Sequence, residues 1–169
     1  MTFAGMLLSV LFVSCRKEGS PEEPNIPVQG QSVWILNEGT FNWGNASIDV
    51  LNAETGQLSS DVFMAVNKRP LGDVLQSVTF VGNEAWLVVN NSMKIERINP
   101  ADFKSKGTID GLRSPRYLLP LDSKVYVSDL YSGEILVLDK FNGSKLKSIA
   151  CAGWTEEMLF KDGFVWVCN

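Results

Sequence analysis

The sequence predicts an all-β fold, and within that class a β-propeller. Three observations carry the prediction. Similar phrases recur, "AWLVVNN" at 85–91, "VYVSDLY" at 125–131 and "VWVCN" at 165–169, setting Trp86, Tyr126 and Trp166 at intervals of 40. Two isoleucine pairs keep that interval, Ile95 with Ile135 and Ile109 with Ile149. From Val33 onward no segment shows sustained helical spacing, and short runs of Val, Ile, Leu and aromatics alternate with Gly, Asn, Asp and Pro. Four short antiparallel strands in every ~40 residues make one propeller blade, whereas a β-sandwich has no reason to repeat at a fixed interval.

The chain opens differently. Residues 1–15, MTFAGMLLSVLFVSC, are an apolar run too short to cross a bilayer as a helix of ~20 residues. They read as a signal-peptide core. The ending Leu11-Phe12-Val13-Ser14-Cys15 resembles a loose bacterial lipobox, which makes Cys15 the expected lipidation site. No Lys or Arg precedes Cys15, so the leader reads as incomplete at its N-terminus. Residues 16–32, with three prolines and three glutamates, read as a disordered, solvated tether.

The propeller domain is expected over residues 33–169. Its first unit supplies three strands, at 32–36, 47–52 and 58–63. The second supplies four, at 77–81, 84–90, 94–99 and 104–109, and the third four more, at 117–121, 124–128, 134–139 and 145–149. A last pair falls at 158–161 and 164–168. Gly82-Asn83, Asp122-Ser123 and Asp162-Gly163 mark the first hairpin of successive units. No helix is expected beyond the leader. Trp86, Tyr126 and Trp166 share one repeat position and are read as core. At about 40 residues per blade, the domain amounts to about 3.4 blades, short of the four that a closed propeller needs. The sequence thus reads as part of a longer propeller.

Composition narrows the function. A net charge of −4, with Lys and Arg scattered, gives no field for nucleic acid. The chain has no histidine, which removes the commonest general base and the commonest metal ligand. Acidic residues are dispersed among turns, so neither a metal site nor a cofactor is expected. Cys151 and Cys168 lie at non-equivalent repeat positions and are read as unpaired.

A binding site is expected where loops of two kinds emerge on one face of the propeller. The loops joining second and third strands are 37–46, 90–94 and 129–134; those joining blades are 65–73, 110–116 and 150–157. They hold aromatic, amide and charged residues in excess of what turns require: Asn37, Trp43, Arg69, Asp73, Asn90, Asp129, Tyr131 and Trp154. Gln76, Arg116 and Glu156, again 40 apart, begin the innermost strands and should ring the channel mouth. Long polar groups beside Trp43, Tyr131 and Trp154 suit a polar ligand with flat apolar parts. The bland alternative has them bonding to neighbouring blades and to water.

The phrases "LNEGTFNWGNASIDVLNAETG", "VNKRPLGDVLQSV", "SPRYLLP", "VSDLYSG" and "GWTEEM" resemble the YncE-like, surface-layer-type seven-bladed propellers of Bacteroidetes lipoproteins. That group includes cell-surface cobalamin-binding proteins. The resemblance covers residues 33–169 and implies a seven-bladed whole, lipid-anchored on the cell surface of the outer membrane. It also implies a small-molecule ligand of the nutrient class, a corrinoid such as cobalamin among them. A TonB-dependent outer-membrane transporter is the implied partner. An envelope protein-interaction scaffold is the alternative. A propeller lactonase or lyase is disfavoured, because such enzymes place acids and histidines around the channel.

Overall fold

The computed structural model describes residues 31–169, so the expectations for the leader, for Cys15 and for nearly all of the tether lie outside the described residues. The alternating runs become strands. β1 (Ser32–Asn37), β2 (Ser47–Asn52) and β3 (Leu58–Ser59) form a three-stranded sheet in sequence order. β4 (Leu75–Val81), β5 (Glu84–Val89), β6 (Lys94–Ile98) and β7 (Ser105–Ile109) form the second. The third is β8 (Pro115–Leu121), β9 (Lys124–Asp129), β10 (Glu134–Asp139) and β11 (Lys145–Ala150). β12 (Met158–Lys161) and β13 (Phe164–Val167) pair as a fourth. Every pairing is antiparallel. The leading strands of the second, third and fourth sheets adjoin, β4 against β8 and β8 against β12, as strands around a common axis do. These are propeller blades.

The repeat extends to the backbone. Gly82, Asp122 and Asp162 have φ of 63°, 55° and 54°, the left-handed conformation that a tight hairpin demands and that Gly and Asp tolerate best. The turn from third to fourth strand is also shared. Asn52 Oδ1 accepts from the N–H groups of Glu54 and Thr55, and Asp139 Oδ1 from those of Phe141 and Asn142, all at 2.9–3.0 Å. The β6–β7 ladder slips at Arg97/Ile98 and the β10–β11 ladder at Val137/Leu138, one repeat apart.

Two apolar layers hold the blades together. Ile48, Val50, Phe63, Leu75, Leu87, Val89, Ile98 and Phe103 fill the first, between sheets one and two. Trp86, Val88, Ile95, Leu118, Val125, Val127 and Leu138 fill the second. β5 sends Ala85, Leu87 and Val89 to one layer and Trp86 and Val88 to the other, so all six of its residues are buried. A strand enclosed on both faces needs an unbroken apolar run, which Ala85–Val89 provides.

Two expectations need correction. The strand read at 58–63 is only β3, and a helix, α1 (Val62–Asn67), follows it. Asp61, at φ 42°, turns the chain: Asp49 Oδ1 accepts its N–H at 2.8 Å, and its own Oδ1 accepts from Met64 N–H at 3.3 Å. Val62 and Phe63 then enter the first apolar layer from a helix instead of a strand. The second correction concerns the shared aromatic position. Trp86 is fully buried and Tyr126 half-buried, but Trp166 is 59% exposed. The difference follows from what lies beyond each among the described residues: the third sheet covers Trp86, a two-stranded sheet lies beyond Tyr126, and none of the described sheets covers Trp166.

Candidate functional site

Loops of the two kinds do converge on one face. Backbone hydrogen bonds join Ala46 N–H to Gly72 O at 3.0 Å, Asn91 N–H to Asp73 O at 3.2 Å and Leu112 N–H to Met93 O at 3.3 Å. Leu130 N–H donates to Ser114 O, and Cys151 N–H to Gly133 O, both at 2.9 Å.

Several of the polar residues read as site candidates work inside this loop framework. Asp129 accepts from Arg113 and Ser114 N–H on Oδ2 and from Tyr131 and Ser132 N–H on Oδ1, all within 3.1 Å. Asn90 Nδ2 donates to Ser114 Oγ at 3.0 Å and Pro115 O at 2.8 Å, bridging two blades. Asn37 Nδ2 donates to Ser47 Oγ at 3.1 Å. Asp73 Oδ2 accepts Asn42 N–H at 2.8 Å and the Asn91 amide.

Gln76, Arg116 and Glu156 form a ladder across three blades. Arg116 Nε donates to Glu156 Oε2 at 2.8 Å and Nη1 to Gln76 Oε1. Gln76 Nε2 in turn donates to Tyr117 Oη at 3.3 Å. Residues one repeat apart therefore meet side by side. Arg116 gives two of its guanidinium donors to neighbouring blades.

Arg69 is elsewhere. Its Nη2 donates to Glu96 Oε1 at 2.7 Å and Ser105 Oγ at 3.1 Å, and its guanidinium lies 5.0 Å from the Phe63 ring. Glu96 is wholly buried and also takes Lys94 Nζ at 3.1 Å. Burial works to raise the Glu96 pKa, but Arg69, Ser105 and Lys94 outweigh it and hold the carboxyl below its usual range. Arg69 is thus part of a clamp between α1 and the second blade, its guanidinium engaged by Glu96 and Ser105.

The aromatic residues remain free. Tyr131 and Trp154, 53% and 67% exposed, meet edge to face with ring centroids 6.2 Å apart. With Leu130, Gly133, Gly153 and Arg113 they line an open hollow of about 320 Å³. Trp43, 76% exposed, stands on the same face over the first blade. Arg113 is the residue that sequence reasoning missed. Its backbone N–H is fixed by Asp129, while its guanidinium has no ion pair or hydrogen bond among the described residues. Its position in an inter-blade loop was the available signal, and the regular interval of Arg116 drew attention three residues away.

A larger cleft of about 550 Å³ runs between β7 and the third blade. Ile109, Leu112, Val127, Leu136 and Leu138 form its floor, with Arg113 and Lys145 among its polar lining. Among the described residues no three Asp, Glu or Cys side chains cluster as metal ligands.

No protein-family model and no curated protein sequence matches the chain. Solved structures do. The computationally designed protein Ika8 superposes with a TM-score of 0.61 at 16% identity, over 82% of this chain and 40% of its own. The WD40 β-propeller domain of Doa1 gives 0.54 at 15% identity, over 72% of this chain and 40% of its own. AztD from Citrobacter koseri gives 0.51 at 17% identity, over 72% and 35%. The chain spans about two fifths or less of the length of these proteins, and at such identities the likeness speaks for the fold alone. That fold is the β-propeller.

Proposed function

We propose that the chain belongs to a ligand-capturing propeller and that its loop face binds a molecule with a flat apolar part and an anionic group. The observation that carries this reading is the Tyr131–Trp154 pair beside the unpaired Arg113 guanidinium. Two large exposed rings at right angles offer one face and one edge to a planar guest, and the guanidinium offers paired donors to a carboxylate or phosphate. The reading is of binding and not of catalysis. The polar side chains at the channel mouth hold one another, and the chain has no histidine to move a proton.

The resemblance in sequence supports the finer proposal: a lipoprotein anchored through Cys15 at the outer-membrane surface, passing a corrinoid to a TonB-dependent transporter. Cyanocobalamin and a set of aromatic carboxylates, titrated against tryptophan fluorescence, test it. Trp154→Ala and Arg113→Ala should each weaken binding by ~1–3 kcal/mol, with thermal melts showing intact folding. Asn83→Ala and Lys161→Ala, at turns on the opposite face, should change little. If aromatic carboxylates bind and cyanocobalamin does not, the corrinoid proposal falls and the general one stands. If opposite-face changes abolish binding while Trp154→Ala leaves it untouched, the face is wrong. For the anchor, Cys15→Ala should move the protein from membrane to soluble fractions; unchanged fractionation would remove that part.

A further inference from the structure

β1 holds the place of a second strand in its blade. It runs into the loop at 37–46, which meets the loop after β5 through the Asn91 and Asn42 side chains. Its Trp34 packs into the first apolar layer as Trp86 packs into the second. β5 and β9 are each paired on both edges, whereas β1 ends its sheet and pairs with β2 alone among the described residues. Gln31 O accepts Ala53 N–H at 2.8 Å. By the alternation of an antiparallel ladder, the N–H groups of Val33, Ile35 and Asn37 then turn toward β2, and those of Ser32, Trp34 and Leu36 toward the open edge. On one face of β1, Val33 and Ile35 are 50% and 39% exposed. On the other, Ser32, Trp34 and Leu36 line a hollow of about 380 Å³ with Val78, Phe80 and Pro100.

The residues just before β1 have the form that this edge requires. In the other three sheets a two-residue turn precedes the shared aromatic at a fixed distance: Gly82-Asn83 before Trp86, Asp122-Ser123 before Tyr126 and Asp162-Gly163 before Trp166. Gly30-Gln31 stands at the same distance before Trp34. The backbone agrees, because Gln31 O takes Ala53 N–H as Ser123 O takes Lys140 N–H, at 3.0 Å, in the third blade. In the second blade that turn sets Val81, Phe80 and Thr79 opposite Glu84, Ala85 and Trp86. The same register sets Gln29 opposite Ser32, Val28 opposite Val33, Pro27 opposite Trp34 and Ile26 opposite Ile35. Two apolar residues thereby fall beside the two exposed apolar residues of β1, and Pro27 falls beside the hollow at Trp34.

We infer that residues 25–29 dock on the open edge of β1 as the innermost strand of the first blade. The pairing is a weak one. Pro27 stands where Thr79 and Leu119 stand in the second and third blades, and it has no N–H to give to Trp34 O. Pro24 then falls in the column of Gln76, Arg116 and Glu156, so the chain enters the domain at the loop face. With Cys15 as the anchor proposed above, at most ~30 Å of extended chain would separate that face from the membrane. The strand itself does not depend on the anchor reading.

Nuclear magnetic resonance and hydrogen exchange on the full chain test the strand. Contacts between the α-protons of Val28 and Val33, and of Ile26 and Ile35, are expected, because facing residues approach closest at the pairs without hydrogen bonds. The Trp34 and Leu36 amides should exchange at least ~10-fold more slowly than amides on an unpaired edge. Ile26→Asp with Val28→Asp should remove that protection and lower the melting temperature, while leaving the amides of β9 unchanged. Pro27→Thr, which restores the missing donor, should raise both the protection and the melting temperature. Absence of the α-proton contacts in the unaltered chain overturns the inference. Protection of Trp34 and Leu36 that survives the double substitution overturns it too, and assigns the edge to another strand, such as one from a second copy. If the double variant does not fold, the unaltered chain and Pro27→Thr decide: no α-proton contacts, or no gain from threonine, overturns it equally.

Discussion

Replacing Glu96 with glutamine is expected to destabilise the chain by about 3 kcal/mol at neutral pH, measured by urea unfolding. Glu96 is wholly buried and takes Arg69, Lys94 and Ser105 together at 2.6–3.2 Å. Glutamine keeps the shape but turns one acceptor into a donor facing two cations. Arg69, 41% exposed, can swing toward water, whereas Lys94, with 15% of its side chain exposed, loses its one ion-pair partner among the described residues. The exposed Lys104–Asp102 pair provides the contrast, since breaking it should cost under ~1 kcal/mol. If Glu96→Gln is no worse than that surface change, the clamp has been overvalued.

The same substitution should alter the response to acid. Glu84 is held at about 2, because hydrogen bonds from Arg97, Lys106 and Trp86 outweigh burial, and Glu96 is lowered in the same way. A carboxyl whose folded pKa lies below its unfolded value of 4.5 gives its full stabilisation above that pH. For Glu84 the contribution drains away as pH falls from 4.5 to about 2. The stability gap between Glu96→Gln and the unaltered chain should therefore narrow as pH falls below 4.5 and Glu96 takes up its proton.

The second large effect is expected at Trp86. Trp86→Ala should cost ~3–5 kcal/mol, the range for emptying a buried aromatic site. The ring is fully buried in the second apolar layer, its Nε1 donates to Glu84 Oε2 at 3.0 Å, and the Arg97 guanidinium lies 5.4 Å from its centre. Trp166→Ala, at the equivalent repeat position, should cost under ~1 kcal/mol, within the range of surface changes. Equal effects in denaturant unfolding would contradict the packing described.

What could be read from the sequence was whatever repeats. Trp86, Tyr126 and Trp166 keep their interval because each blade offers the same slot, and Gly82, Asp122 and Asp162 keep theirs because each hairpin needs the same backbone twist. Helix α1 escaped notice because six residues are too few to show a helical period, and its start depends on one aspartate in a left-handed conformation. Burial escaped too, because it is set by the neighbouring sheet and not by the residue. At the candidate site, Tyr131 and Trp154 were visible as aromatics surplus to turns, but their edge-to-face contact depends on two different loops. The Arg116 column was visible by its interval, and its inward bonding was not. Arg69 reads from sequence as a loop cation; only the fold brings it to Glu96.

The graded cover over the shared aromatic position also bears on how the chain comes apart. Each blade contacts only the blades on either side, so stability is a sum of local terms and nearest-neighbour interfaces. Among the described residues, Trp86 lies in the interface between two complete four-stranded sheets, where β5 is buried along its whole length. Within the described residues, the amide protons of β5 should therefore exchange more slowly than those of strands enclosed on one face only. A single all-or-none transition is not the natural description of such a chain; β5, enclosed on both faces, is the last part to let go.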